Sequence, residues 1–344
     1  MKNLANKYRP QTFDDVSEQD AIKIILKKQI EDNKIIHGLL FCGGAGTGKT
    51  TSARIYANEI NKGVGKPIEL DAASHNSVDD IRDIIERSQS KPLDSLYKVF
   101  IIDECHSLSN SAWQAMLKIL EEPPEFVIFI FCTTNPEKIP KTILSRVQRY
   151  DFQRISHFGI VQRLKWICDN EGIKRYSDNG NLPDDNYATT SALEYIAKIA
   201  DGGMRDAITL LEKCLSYSTE LTVENVVKAL GITGYDEMFK LLNAIIVKDA
   251  KKIIEIINDV YMQGVDLKQY MKQFANFVLD VSKFQILGNF NYIQIPNTYK
   301  NQLDGITENV NDILNTLMSL NSDLRYDTTP KELIESTLLL EVYS

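Results

Sequence analysis

An α/β fold with a parallel five-stranded sheet, followed by a long all-helical part, is predicted by three observations on this 344-residue sequence. An apolar run, Leu39-Leu40-Phe41-Cys42, leads through a glycine-rich turn into a helix-permissive stretch from Thr51 to Ile60. Further strand-like stretches, a short one at 68–70, apolar runs at 99–102 and 126–132 and an alternating one at 148–152, are interleaved with amphipathic helical patterns, the rhythm of a parallel sheet with crossover helices. From His157 the strand signal stops, and apolar residues recur at helical spacing to the end.

The length suggests two or three domains, each able to bury its own core. Hydrophobic residues at 43% and charged residues at 25% describe a globular chain, neither disordered nor embedded in a bilayer. No window approaches the roughly 20 uncharged apolar residues that span a membrane, and Met1-Lys2-Asn3-Leu4 precedes no signal-peptide core. The five cysteines, Cys42, Cys105, Cys132, Cys168 and Cys214, lie far apart with no CxxC pair, which fits a reducing, cytoplasmic setting. A net charge of −8 excludes a surface coated with basic residues; contact with DNA would need a local patch.

The turn after the first strand is Gly43-Gly44-Ala45-Gly46-Thr47-Gly48-Lys49-Thr50. Its glycines let successive backbone N–H groups face a phosphate chain, and the following helix adds the positive end of its dipole. Lys49 then reaches the β/γ oxygens and Thr50 offers a hydroxyl to Mg²⁺. The alternative is a turn that only joins strand to helix; the complete motif between a strand and a helix favours a nucleoside triphosphate.

Taken in order, the chain begins with Tyr8-Arg9-Pro10 and Phe13, turn chemistry before a helix carrying Ile22, Ile25, Leu26 and Ile30. After the P-loop helix, Ile68-Glu69-Leu70 reads as a strand and Ser77 opens a helix with Val78, Ile81 and Ile85 on one face. Val99-Phe100-Ile101-Ile102 ends in Asp103-Glu104-Cys105-His106, the Walker B pattern of a buried strand that delivers carboxylates to the ligand edge of the sheet. Asp103 would support Mg²⁺ and Glu104 would orient the attacking water. His106 has no partner at metal-ligand spacing and reads as a packing or supporting residue. A helix from Ser111 places Trp113, Met116, Leu117 and Leu120 on one face and stops at Pro123-Pro124. The next strand ends in Thr133-Thr134-Asn135, side chains suited either to sensing a γ-phosphate or to capping a turn. Ile143-Leu144-Ser145-Arg146 then leads into the fifth strand.

Helical patterns follow at 158–171, around Leu193 to Ala200, at 204–217 and at 223–230, with a polar stretch from Tyr176 to Thr190 as a surface insertion. Gly231 and Gly234 mark a boundary. Beyond it come helices at 236–247, 250–263, 266–287 and 307–320, then a last one announced by Thr329-Pro330 and Glu332. The expected division is 1–155, 156–232 and 233–344.

The motifs together, YRP from Tyr8, GGAGTGKT, ELDAAS from Glu69, IIDECH, LKILEEPP from Leu117, TTNPEKIPKTILSR from Thr133 and GGMRDA from Gly202, resemble the gamma/tau subunit of the bacterial DNA polymerase III clamp loader, an AAA+ ATPase. The match is dense from about residue 4 to 215 and fades to a helical pattern after 235. The resemblance implies an AAA+ domain, a small helical lid and an all-α collar for oligomerisation. Position by position, it puts the P-loop pair at Lys49 and Thr50, the Walker B pair at Asp103 and Glu104, and sensor 1 at Thr134. Arg146 falls where the family places an arginine finger serving the neighbouring subunit, and Arg205 where it places sensor 2; on spacing alone either would be a surface ion pair. Nucleotide contacts are implied at Tyr8, Arg9 and Thr51 as well, with Mg²⁺ at Thr50 and Asp103. The implied cofactors are ATP and Mg²⁺, and the implied partners are a sliding clamp, other loader subunits in a pentameric ring and primer-template DNA, with no membrane.

Three departures qualify the match. Asn61 to Pro67 bridges directly to the ELDAAS strand where the family inserts a four-cysteine zinc module, so no zinc is expected. Val147 stands where a cysteine commonly follows the Ser-Arg pair. The sequence also stops soon after the helical third domain, as in a compact or phage-encoded form of the shorter gamma subunit acting in a bacterial or infected cell. The rival readings are another AAA+ machine, such as a helicase loader or branch-migration motor, and a scaffold that has lost catalysis. A nucleotide kinase fits the Walker B acids and the helical half less well.

Overall fold

The computed structural model describes residues 3–176, 187–231, 234–290 and 292–343. They form two compact units, Met1–Lys174 with Ile196–Glu212, and Arg175–Tyr195 with Lys213–Ser344. Most of the insertion expected at Tyr176 to Thr190, and the link between Gly231 and Gly234, lie outside the described residues.

The first unit is built on five parallel strands, β1 (Gly38–Gly43), β2 (Ile68–Asp71), β3 (Lys98–Asp103), β4 (Val127–Thr133) and β5 (Gln148–Phe152), in the spatial order β2-β3-β4-β1-β5. The three central strands are apolar along nearly their whole length because both faces of the sheet are covered. Side chains alternate between two cores. Leu39 and Phe41, with Ile128 and Ile130, pack on one side against Phe13, Leu26 and Tyr56. Leu40, Phe129 and Phe131 pack on the other against Ile81, Trp113 and Met116. At the edges the burden falls: in β5 only Tyr150 and Phe152 point inward.

The flanking helices are α1 (Leu4–Lys7), α2 (Asp20–Glu31), α3 (Lys49–Ile60), α4 (Val78–Ser88), α5 (Asn110–Glu121), α6 (Lys141–Leu144) and α7 (His157–Asn170). Sequence signals account for their starts. Ser77 and Asp80 form a reciprocal capping box at α4, and Ser109 and Ser156 accept from the third N–H of α5 and α7. Strand order brings the ends of β1, β3 and β4 to one edge of the sheet, the edge at which open α/β sheets bind ligands.

Strands do not stop at His157. A second sheet of three short strands, β6 (Lys174–Tyr176), β7 (Tyr187–Thr189) and β8 (Glu220–Leu221), corrects that expectation. Two or three residues are too few to display a two-residue period, so the helical pattern around them prevails. Helices α8 (Thr190–Ile199) and α9 (Met204–Tyr217) contribute residues to both units.

The rest of the second unit is helical: α10 (Val223–Leu230), α11 (Tyr235–Ile246), α12 (Ala250–Met262), α13 (Leu267–Leu287), α14 (Lys300–Asp304), α15 (Asn311–Asp323) and α16 (Pro330–Tyr343). Its core is aromatic, with Phe239 edge-on to Phe277 at 4.8 Å and the hydroxyls of Tyr195 and Tyr235 3.2 Å apart. The helix expected over 307–320 begins instead at Asn311. The carbonyls of Ile306 and Glu308 accept hydrogen bonds from the Gln285 side chain at 3.1 and 2.8 Å, which fixes that segment to α13 outside a helix. Among the described residues no helix is long and apolar enough to cross a membrane.

Candidate functional site

The loop from Gly43 to Gly48 closes on itself before α3 begins. Lys49 is 6% exposed, and its ammonium donates to the carbonyls of Gly43 and Gly44 at 2.9 and 2.7 Å. Burial pulls the Lys49 pKa below the usual lysine value, and the carboxylates of Glu104 and Asp103 oppose that shift. Thr47 donates to the Gly44 carbonyl at 2.9 Å. Gly46 and Gly48 adopt left-handed φ of +69° and +101°, open to glycine at little cost.

The start of α3 and the end of β3 meet at Thr50 and Asp103. The Thr50 hydroxyl donates to Asp103 Oδ2 at 2.8 Å, and Asp103 Oδ1 accepts from the Glu104 N–H at 3.0 Å. Glu104 itself is held in the left-handed region at φ +45°, the kind of backbone strain that surrounding contacts must enforce. Its carboxylate is anchored in turn: Glu104 Oε2 accepts from the Thr134 hydroxyl at 3.1 Å and lies 3.2 Å from His106 Nδ1. His106 Nδ1 is also 3.1 Å from the Thr133 hydroxyl, so His106 stands between the Glu104 carboxylate and the end of β4.

A cavity of about 300 Å³ opens beside these groups. Of the residues singled out from the sequence, Ala45, Gly46, Thr47, Gly48, Lys49, Thr50 and Thr51 line it on the loop side. Asp103, Glu104 and Arg205 line it as well, and Tyr8 and Arg9 enter from the N-terminal segment. Gly43 and Gly44 stand behind Lys49, and Thr134 is set back from the cavity, bonded to Glu104. Arg146 is elsewhere. Its Nε donates to Glu121 Oε1 at 3.1 Å, Nη2 donates to the same oxygen, and Nη1 donates to the Thr142 carbonyl at 2.6 Å and to Ser145 Oγ at 3.1 Å.

Sequence reading missed Arg163, and it missed the apolar wall made by Val16, Ile155 and Ile208. Arg163 is one cation on α7 among Ile160, Leu164 and Ile167, and spacing alone does not separate it from a solvated lysine. The double glycine at 202–203 was visible, but not its reason. The Met204 N–H donates to the Gly46 carbonyl at 3.0 Å, and a Cβ added at Gly46 would stand 2.9 Å from Gly203 Cα. The two backbones touch there, which leaves no room for side chains.

With this geometry in view, the relatives are informative. A family model described as DNA polymerase III, delta subunit, matches residues 66–156, and one described as DNA polymerase III subunits gamma and tau domain III matches residues 221–317. The DNA polymerase III subunit gamma of Buchnera aphidicola subsp. Acyrthosiphon pisum is 33% identical over 89% of this chain and 87% of its own length. The chain belongs to the DNA polymerase III gamma/tau family. The DNA polymerase III subunit tau of Bacillus subtilis is 34% identical over 96% of this chain, which spans 62% of that protein; this chain spans 42% of the gamma/tau subunit of Mycoplasma pneumoniae. Among solved structures, the RuvB Holliday junction branch migration motor of Thermotoga maritima superposes with a TM-score of 0.51 at 19% identity, over 75% of this chain and 86% of that one. That likeness shows the AAA+ fold, with its five-stranded parallel sheet and flanking helices. For a gamma/tau family member, the loop, the strand-end acids and Arg205 converge on a single cavity.

Proposed function

We propose that this chain is the ATP-binding and ATP-hydrolysing subunit of a replication clamp loader, acting in a pentameric ring to open a sliding clamp and load it onto primer-template DNA. The 2.8 Å bond between Thr50 and Asp103, beside Glu104 and in a gamma/tau family member, carries the reading. In it, 1–155 is the ATPase domain, 156–232 the lid and 233–344 the collar, in a bacterial or phage-infected cytoplasm.

The residues suit the groups they would hold. Backbone N–H groups of the loop and the α3 N-terminus favour the phosphates, and Val16, Ile155, Tyr8 and Arg9 bound the space left for the base. The hydroxyl and carboxylate of Thr50 and Asp103 are the hard oxygen donors that Mg²⁺ prefers. The metal, when bound, neutralises charge on the β/γ oxygens. Glu104 accepts the proton of the attacking water, Thr134 and His106 hold the Glu104 carboxylate, and Arg205 meets the γ-phosphate. Arg146 serves the site of the adjoining subunit.

The test is steady-state ATPase of the assembled ring. Turnover should rise several-fold with purified clamp and primer-template DNA together. Indifference to both, with stimulation by four-way junction DNA, would favour a branch-migration motor, and tight binding without turnover would favour a scaffold.

Among the described residues no group of three or more His, Cys, Asp or Glu side chains is placed to hold a metal ion. The segment after Asn61 is a tight turn with Lys62, Gly63 and Gly65 at positive φ, tied down by the Asn61 side chain across the Tyr97 backbone at 2.8 and 2.9 Å. Elemental analysis of the purified protein should find no stoichiometric zinc, and chelation without Mg-ATP should leave its melting temperature unchanged. One tightly held equivalent would overturn this.

A further inference from the structure

The wall of the cavity formed by Tyr8 and Arg9 has no means of standing alone. It continues from α1, a four-residue helix with no buried residue, far below the length at which a helix persists unaided. Its position is imposed by α7. Arg163 Nη2 donates to the Tyr8 carbonyl at 2.9 Å, and the same guanidinium stacks 4.3 Å from the centre of the Trp166 ring. The Tyr8 ring meets Trp166 edge-on at 5.4 Å. One turn further along, Glu171 Oε1 accepts from the Tyr8 hydroxyl at 2.5 Å and from Lys7 Nζ at 2.6 Å. Arg163 also lines the cavity itself, half-buried, with the charge of Asp15 opposing the cost of its burial.

We propose that Arg163, seated on Trp166, is a positioning residue that fixes the Tyr8–Arg9 wall against α7 and so sets the affinity of the site for the base of its nucleotide rather than for the phosphates. This rests on the reading of the cavity as a nucleotide site. The guanidinium is suited to the task where an ammonium is not. Its flat face covers the indole while one edge N–H reaches a carbonyl, two contacts that a lysine cannot make together. The phosphate end is held independently, by the loop between β1 and α3.

The experiment is calorimetric titration of this chain with ATP and, separately, with inorganic tripolyphosphate, which has the charge but no base. Arg163→Met and Arg163→Lys should each weaken ATP about tenfold, the loss of one hydrogen bond from a charged donor, and leave tripolyphosphate unchanged. Trp166 is 45% exposed, so its variants test the same stack without disturbing the core. Trp166→Ala should weaken ATP in the same way, and Trp166→Phe should keep most of the affinity. Equal loss of ATP and tripolyphosphate would mean that Arg163 acts as a charge on the phosphates, and undiminished ATP binding by Arg163→Met would free the wall from α7; either overturns the proposal. Wild-type affinity in Arg163→Lys would do so too, since charge alone would then suffice. A wild-type chain that binds no ATP strikes the nucleotide reading itself, a failure told apart from the others before any variant is made.

Discussion

Mixing Lys49→Ala chains with Arg146→Ala chains is expected to restore ATP hydrolysis that neither preparation shows alone. Arg146 stands outside the cavity, at the corner where α6 turns into β5, with its guanidinium bonded to Glu121, Thr142 and Ser145. An arginine at such a corner is better placed to leave its own domain than to curl back to Lys49. Its resting partners release it readily, because the side chains of Arg146 and Glu121 are 30% and 51% exposed and an ion pair that wet contributes little. If Arg146 completes a neighbour's site, each variant is deficient for a different reason. Mixed rings then contain interfaces with an intact lysine on one side and an intact arginine on the other. An arginine finger is worth about 10³ to 10⁵ in turnover, so even a minority of such interfaces stands far above the sum of the separate samples. An arginine acting within its own chain allows no rescue, since no chain in the mixture carries both groups. Mixed assembly confirmed by mass, without recovered activity, would return Arg146 to an ordinary ion pair with Glu121.

Glu104→Gln and Lys49→Ala should separate hydrolysis from binding. The amide introduced by Glu104→Gln cannot take a proton from water, and it replaces a carboxylate that Thr134 and His106 now hold. Turnover should fall by about 10²- to 10⁴-fold, the usual worth of a positioned base, with ATP affinity kept within a few-fold. Removing the Lys49 ammonium does something else: it strips the loop of the group that gathers the carbonyls of Gly43 and Gly44, and leaves the phosphates without their buried countercharge. The dissociation constant for ATP should rise steeply. Equal loss of affinity in both variants, measured by equilibrium binding, would end this division of labour.

The sheet was legible in the sequence because its inner strands are buried on both faces, so Leu39 to Cys42, Val99 to Ile102 and Val127 to Cys132 are unbroken apolar runs. The loop was legible because backbone curvature around a phosphate admits few residue types. What escaped depends on contacts between distant parts of the chain. β7 and β8 are too short to have a period of their own, and the start of α15 is set by a glutamine on α13. Arg163 stands out only once Tyr8, 155 positions earlier, is brought within its reach. The partners of Arg146 on α5 and α6 were equally out of reach, since no pattern links Glu121 to a residue 25 positions on.

The bond from the Met204 N–H to the Gly46 carbonyl ties the phosphate loop to the start of α9 through main-chain atoms alone. A scan that trims side chains one at a time is therefore blind to it: alanine at 204 keeps the donor, and alanine at 46 fails for want of space near Gly203 before the acceptor is ever tested. Only proline at 204 deletes the donor, at a first-turn helix position where proline is otherwise tolerated. Mutational tolerance at Met204 is thus a poor guide to its importance, and a silent position in such a survey can sit on the shortest mechanical path between the loop and the helix.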